Sequence, residues 1–229
     1  MPPDASVLTD PDGFFRSRLD DTSLGWPLAV VALVAALRVL AGVIRSSGLT
    51  DLVTEQGLPA SQAGQGPVAL ATAAVIPFLA WVVFAGVFYL LSSLFDGEGE
   101  FSTLLSFVGY GFVPQVAGSA LSALVAFYRW NVRGVSVSFP AGTAGKSPMQ
   151  MSPEQSAAYA RAIFEAQSGP LVTLMTVLGF VFTLWAAFIW VFATRRARDV
   201  STRQAAIAVG LPVGLVVLVQ IGLFALGTL

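Results

Sequence analysis

Asp96, Glu98 and Glu100 put three carboxylates on alternate positions of one short stretch, with Gly97 and Gly99 between them. Oxygen donors at that density suit a hard cation such as Ca²⁺. The same residues equally suit a solvated hairpin joining two spans, the glycines supplying backbone freedom for a tight reversal. Nothing basic recurs within the stretch, so it is no phosphate cradle. Arg38 is the other chemically conspicuous group, the one charge well inside an apolar run. A charge at membrane depth is costly and points by default to an ion or substrate path. Yet Arg38 stands six residues before Ile44, about 9 Å by helical rise. Its side chain can therefore also snorkel outward or pair structurally.

Two residue types are missing altogether: the chain has no Cys and no His. Thiol nucleophiles, disulfides, thiolate or imidazole metal sites, a Ser-His-Asp triad and a His-held haem are all excluded. Carboxylate and Lys/Arg chemistry remain, and few such groups fall within apolar runs. No catalytic residue, cofactor or metal is expected, and the chain reads as a non-enzyme.

The elements that must position these residues are five long, nearly uncharged runs at 26–44, 67–95, 103–128, 170–193 and 205–229. Each reaches or approaches the roughly 20 residues a helix needs to cross the hydrocarbon core. Their length and uniformity do not fit the alternating strands of a barrel. The fold class is all-α, a polytopic membrane protein built as a bundle of five transmembrane helices. Composition agrees: 55% of the residues are hydrophobic and 11% charged, against roughly 25% charged in soluble domains. The formal net charge of −1 leaves no concentrated basic surface, so a nucleic-acid partner is not expected. Lys146 is the one lysine.

Residues 1–24 form a tail and 25–229 the membrane domain. The opening Met-Pro-Pro-Asp has no basic region ahead of the first span, which predicts an uncleaved anchor. In the tail, Phe14, Phe15 and Leu19 fit one apolar side of a short interfacial helix, with Arg16 and Arg18 near headgroups. An ordinary tail with two stray aromatics fits as well. Arg16 and Arg18 share a side of the membrane with Arg195, Arg196, Arg198 and Arg203; Arg45, Arg129, Arg133, Lys146 and Arg161 share the other. The tight cluster after the fourth span decides this near-tie, placing the N-terminus in the cytoplasm and the C-terminus outside the cell membrane. Trp26, Tyr89, Phe95, Tyr128, Trp130, Trp190 and Phe192 lie near span ends as candidate interfacial anchors. The second run would extend about 43 Å as a helix, with Pro77 the place for a bend.

Helical spacing gathers Gly111, Gln115, Gly118, Ser122 and Ala126 on one face of the third span. Small residues there admit a neighbouring backbone, and Gln115 can bond across the contact. Tyr110 and Pro114 share an adjacent face, and Pro114 frees the Tyr110 carbonyl. Gly210 and Gly214, with Pro212 between them, suggest a second packing seam. In the long 129–169 connection, Ser152-Pro153-Glu154-Gln155 reads as a helix start. Tyr159, Ala160, Ile163, Phe164 and Gln167 follow at helical spacing, with Ser168-Gly169-Pro170 as the stop. A short amphipathic helix on the outer membrane face is expected. Before it, 135–139 alternates like a very short strand.

The stretch Asp96 to Phe101, followed by Gly109-Tyr110-Gly111-Phe112-Val113-Pro114, resembles the Yip domain family of Ypt/Rab-GTPase-interacting membrane proteins, in its prokaryotic branch. Asp10-Pro11-Asp12-Gly13-Phe14-Phe15 is similar to the start of such chains, so the resemblance covers nearly the whole sequence. It implies five spans, a cytoplasmic N-terminus and a membrane organiser or adaptor without enzymatic activity. It further implies partner binding through the N-terminal region and the 96–102 and 194–204 loops. By family analogy alone the partner would be a small GTPase; membrane lipids and self-association through the spans are the others. The alternative is a transporter or permease component for a small solute or ion, for which Arg38, Gln115 and Gln220 are the embedded polar groups. An intramembrane enzyme would need a nucleophile and base that are not visible. The residues to test are Gly97, Gly99, Gly109, Tyr110, Pro114, Gln115 and Arg38, with changes at Tyr110 and Pro114 expected to disturb assembly more than any surface charge change.

Overall fold

The computed structural model describes residues 4–19, 22–63, 66–146 and 148–225, among which there is no strand. Two short helices open the chain, α1 (Ser6–Thr9) and α2 (Pro11–Arg16). Then come α3 (Gly25–Glu55), α4 (Pro67–Ser93), α5 (Phe101–Tyr110), α6 (Val113–Phe127), α7 (Pro153–Gln167), α8 (Pro170–Arg198) and α9 (Thr202–Ala225). Five segments are long and apolar enough to cross a membrane: α3, α4, the combined stretch Phe101–Arg133, α8 and α9. The third of these is the least apolar, with mean hydropathy 1.3 against 2.2 to 2.4 for the others.

Helices and apolar runs differ at their ends. The first helix continues to Glu55, well past the run that stops at Ile44, because helix needs only paired backbone and tolerates a polar extension. Its end is set by Gly57 at φ 74°, with Leu58 N–H donating back to the Val53 carbonyl. The third span is not one helix. It breaks at Gly111–Phe112 and closes in a π turn over Tyr128–Arg133.

The chain divides into two compact units. Unit one comprises Met1–Ala35, Ile76–Ala117 and Gly179–Leu229. Its core joins Phe14 and Phe15 to Val31 and Val34 of α3, Phe88 of α4, Phe107 of α5, and Ile189 and Trp190 of α8. Phe84, Phe88 and Phe112 surround the Trp190 indole at centroid distances of 4.9, 5.6 and 5.5 Å. Trp190, expected at the headgroups, is instead a core residue, because its indole N–H finds a carbonyl inside.

Unit two comprises Ala36–Val75 and Gly118–Leu178. Its core is Leu49, Leu52, Val53, Leu58, Met151 and Ala166, with Trp130, Tyr159 and Ile163 packed on it. The capping box at the head of α7 is formed: Gln155 N–H donates to Ser152 Oγ and Ser152 N–H to Gln155 Oε1, each at 3.2 Å. Tyr159, Ile163 and Ala166 turn inward at helical spacing, while Phe164 of the expected apolar set is exposed. Residues 135–139 form no strand. The Gln56 amide supplies the bonds a neighbouring strand would have made, donating to the Val137 carbonyl at 2.6 Å and accepting from Phe139 N–H at 3.1 Å.

Candidate functional site

The N-terminal arm is built locally by one cap. Asp10 accepts from Gly13 N–H at 3.1 Å, and Pro11 opens α2 with its φ already suited to a helix. A side chain at Gly13 would run into the Asp10 carboxylate. One turn of helix then divides the residues: Asp12 and Arg16 face out, Phe14 and Phe15 face in. Phe14 meets Tyr110 edge-on at 5.1 Å, and Phe15 packs at 4.8 Å on Phe107. The aromatic side expected to rest on lipid is buried in protein. Arg18 is buried too, its guanidinium 4.1 Å above the Phe14 ring and 3.4 Å from the Tyr110 hydroxyl. Cation–π attraction and that hydrogen bond replace the water the charge gives up.

The end of α8 carries the complementary charges. Asp12 Oδ1 accepts from Arg195 at 3.0 Å and from Arg196 Nε at 2.8 Å. Its Oδ2 accepts from the second arm of the Arg196 fork and from Arg16 at 2.9 Å. The Arg196 hydrogen bonds are the chief reason that the Asp12 carboxyl is held at about 2, against 3.8 ordinarily. Arg16 and Arg195 add to the effect.

Arg198, 3% exposed, secures the 96–100 turn. It donates to the Gly97 and Gly99 carbonyls, to Ser92 Oγ at 3.1 Å and to Ser93 Oγ at 3.0 Å. Its guanidinium lies 4.0 Å over the Tyr89 ring. No three carboxylates among the described residues gather closely enough to hold a metal; the cation seated on this turn is Arg198. The backbone of the turn differs from expectation as well. Asp96, not Gly97, adopts the left-handed conformation, at φ 56°. It closes α4 with Asp96 N–H on the Ser93 carbonyl and Gly97 N–H on the Ser92 carbonyl. Asp199 closes α8 the same way at φ 49°. Gly99 does need its freedom, at φ 104°. Gly97 is required for space, since a Cβ there would stand 2.8 Å from the Ser92 carbonyl oxygen.

The break in the third span is a place of close approach. Trp81 Nε1 donates to the Leu105 carbonyl at 2.7 Å and Trp190 Nε1 to the Val108 carbonyl at 2.8 Å. A Cβ on Gly109 would lie 2.6 Å from Pro27 Cβ and 3.0 Å from Trp81 Nε1. One on Gly111 would enter the Trp190 indole. Both glycines are needed for space rather than for conformation, and Gly111 has an ordinary helical φ of −64°. Pro114 is buried in the first turn of α6, where its missing N–H costs little. Gln115 reaches Thr183 Oγ1 of α8 at 3.5 Å, a long contact. Gly111→Ala is expected to lower stability by about 1–3 kcal/mol through overpacking. Thermal unfolding in lipid nanodiscs checks this; an unchanged midpoint would mean that Trp190 moves aside freely.

Thus Gly97, Gly99, Gly109, Tyr110, Pro114 and Gln115 all belong to unit one, whereas Arg38 is exposed on the unit-two part of α3, with no hydrogen bond or ion pair among the described residues. A Cβ on Gly210 or Gly214 would meet nothing within 4 Å, so that expected seam is not closed among the described residues. Sequence reasoning passed over Asp12, Arg18, Trp81, Trp190 and Arg198 as site residues. Asp12 and Arg198 were noted there only within the Asp10–Phe15 element and the arginine cluster, Arg18 and Trp190 only as headgroup neighbours, and Trp81 carried no signal.

Comparison with known proteins accords with this architecture. The family model of the Yip1 domain matches residues 5–224. An uncharacterized protein of Methanocaldococcus jannaschii is 32% identical over 123 residues, which is 53% of this chain and 86% of that protein. No solved structure matches.

Proposed function

The chain belongs to the Yip1 domain family of multi-pass membrane proteins, and from that premise we infer that it is a non-enzymatic membrane organiser or adaptor binding protein partners or lipids. One observation carries the reading. Two segments far apart in sequence are tied to one end of α8: the arm through Asp12, and the 96–100 turn through Arg198. A partner would meet a preformed polar surface, which lowers the ordering cost of binding. By the distribution of arginines, that surface faces the cytoplasm. The aromatic filling around Trp190 supports the same reading, since it occupies the interior of unit one with packed rings. A small GTPase is one candidate partner, by family analogy alone.

The test is crosslinking in native membranes followed by mass spectrometry, wild type beside Asp12→Asn. A protein captured by the wild type and weakened in the variant supports the adaptor reading. Recovery of only the chain itself and lipid in both samples counts against a protein partner. Solute transport is the second reading, favoured by Arg38, which is exposed and has no hydrogen bond or ion pair among the described residues; solute flux in reconstituted vesicles that Arg38→Ala abolishes would establish it instead.

Docking of the arm also has an acid limit. Asp12 titrates at about 2 when docked and at 3.8 when free. A depressed carboxyl stabilises the docked form fully above its free value and loses that contribution as pH falls through the docked one. Hydrogen exchange of residues 11–16 should therefore accelerate between about pH 4 and 2, beyond the intrinsic trend. Asp12→Asn should show fast exchange already at neutral pH and lose the acid step. Identical protection in the two proteins at pH 7 would show that Phe14 and Phe15 hold the arm without the ion pairs.

A further inference from the structure

In unit two a cavity of about 60 Å³ opens beside the C-terminal half of α3. Its lining combines Arg45, Ser122 and Arg129 with Val125, Val172 and Met175. That volume is roughly the liquid volume of two waters, room for a phosphate-sized group. No carboxylate lines it.

The two arginines are held differently. Arg129 is fixed to the end of α7, donating to the Ala166, Gln167 and Ser168 carbonyls at 3.1, 3.4 and 2.7 Å. Carbonyl dipoles orient the guanidinium but leave its full charge uncancelled. Arg133, four residues on, adds to the positive field. Arg45 is exposed and has no hydrogen bond or ion pair among the described residues. Two cations thus face one small cavity with no anion between them, an arrangement that a bound anion would stabilise.

The position of the cavity selects the anion. Arg45 follows directly on the apolar run 26–44, where hydrocarbon gives way to headgroups. Trp130 also lines the cavity, and its ring lies against Gly48, which has no Cβ to hold it off. Charge at the headgroup level with apolar side chains beside it matches an anionic head that carries hydrocarbon tails. We propose that Arg45 and Arg129 clamp the phosphate of an anionic phospholipid in this cavity. The proposal rests on the reading of the chain as a membrane protein and is independent of what binds the N-terminal arm.

The full-length protein is placed in nanodiscs of phosphatidylcholine with a minority of phosphatidylglycerol, then extracted and weighed by native mass spectrometry. Phosphatidylglycerol is expected to be retained in preference to phosphatidylcholine. Arg45→Gln should lower that retention about fivefold, the loss of one arginine contact. Arg45→Lys should keep most of it. Arg38→Gln, two turns earlier on the same face of α3 and outside the cavity, should leave retention unchanged. Arg45 makes no hydrogen bond or ion pair among the described residues, so its replacement is expected to spare the fold, whereas Arg129 also caps α7. Equal retention of the two lipids overturns the proposal, as does undiminished retention in Arg45→Gln. Displacement of the lipid by millimolar inorganic phosphate would assign the clamp to free phosphate and overturn it too. Each of these results leaves the crosslinking outcome for the arm untouched, so the two readings fail separately.

Discussion

Tyr110→Ala is expected to cost about 3–5 kcal/mol, the range for removing a large aromatic side chain from a packed core. Tyr110 is 2% exposed and lies under the arm. Its ring meets Phe14 edge-on at 5.1 Å, and Arg18 stands 5.3 Å from its centroid. Truncation would empty the seat of Phe14 and take from Arg18 the Tyr110 ring and hydroxyl, leaving it the Phe14 ring. The unfolding midpoint in nanodiscs should fall by roughly 6–20 °C, and residues 11–16 should lose their protection from hydrogen exchange. Tyr110→Phe separates the two contributions. It keeps the packing and removes the hydroxyl, so its cost should be nearer 1 kcal/mol. A midpoint for Tyr110→Ala within a degree or two of wild type would refute the docked arm.

Arg198→Met is expected to cost about 2–4 kcal/mol. The substitution keeps much of the aliphatic bulk but removes every bond that Arg198 makes to the 96–100 turn, and its charge over Tyr89. Ser92 is fully buried and would lose the partner of its hydroxyl oxygen. Exposure of Gly99 tempers the loss, since water can reach its carbonyl. Arg198→Lys should recover only part of the difference, because a single ammonium cannot span two carbonyls and two hydroxyls as the planar fork does. The readouts are thermal unfolding and hydrogen exchange over residues 92–100. A full rescue by lysine would mean that charge alone, not the fork, holds the turn.

The legible part of the candidate site was its local part. Asp10 to Phe15 and Gly109 to Pro114 were recognisable as elements, and Ser152 to Gln155 as a helix start. Arg195, Arg196 and Arg198 were legible as a positive cluster, but only as a signal of orientation. Nothing along the chain announces that Arg196 meets a carboxylate 184 residues away. Trp190 was misread for a related reason. Near the end of an apolar run, tryptophan looks the same whether it faces headgroups or a carbonyl of the neighbouring helix.

By itself the sequence determined the five apolar spans, the all-α class, the start of α7 and the resemblance to the Yip family. The first three rest on short-range physics, transfer of a continuous apolar segment into hydrocarbon or a cap closed within four residues, and the resemblance rests on short motifs. Only the tertiary structure decided that the arm folds inward, that Arg198 holds the 96–100 turn, and that Gly109 and Gly111 are kept open for Pro27, Trp81 and Trp190. Within lipid, an apolar side chain is as well solvated by hydrocarbon as by another helix, so hydrophobicity does not choose the neighbours. Close packing and a few polar contacts choose them, and those emerge once the helices lie side by side.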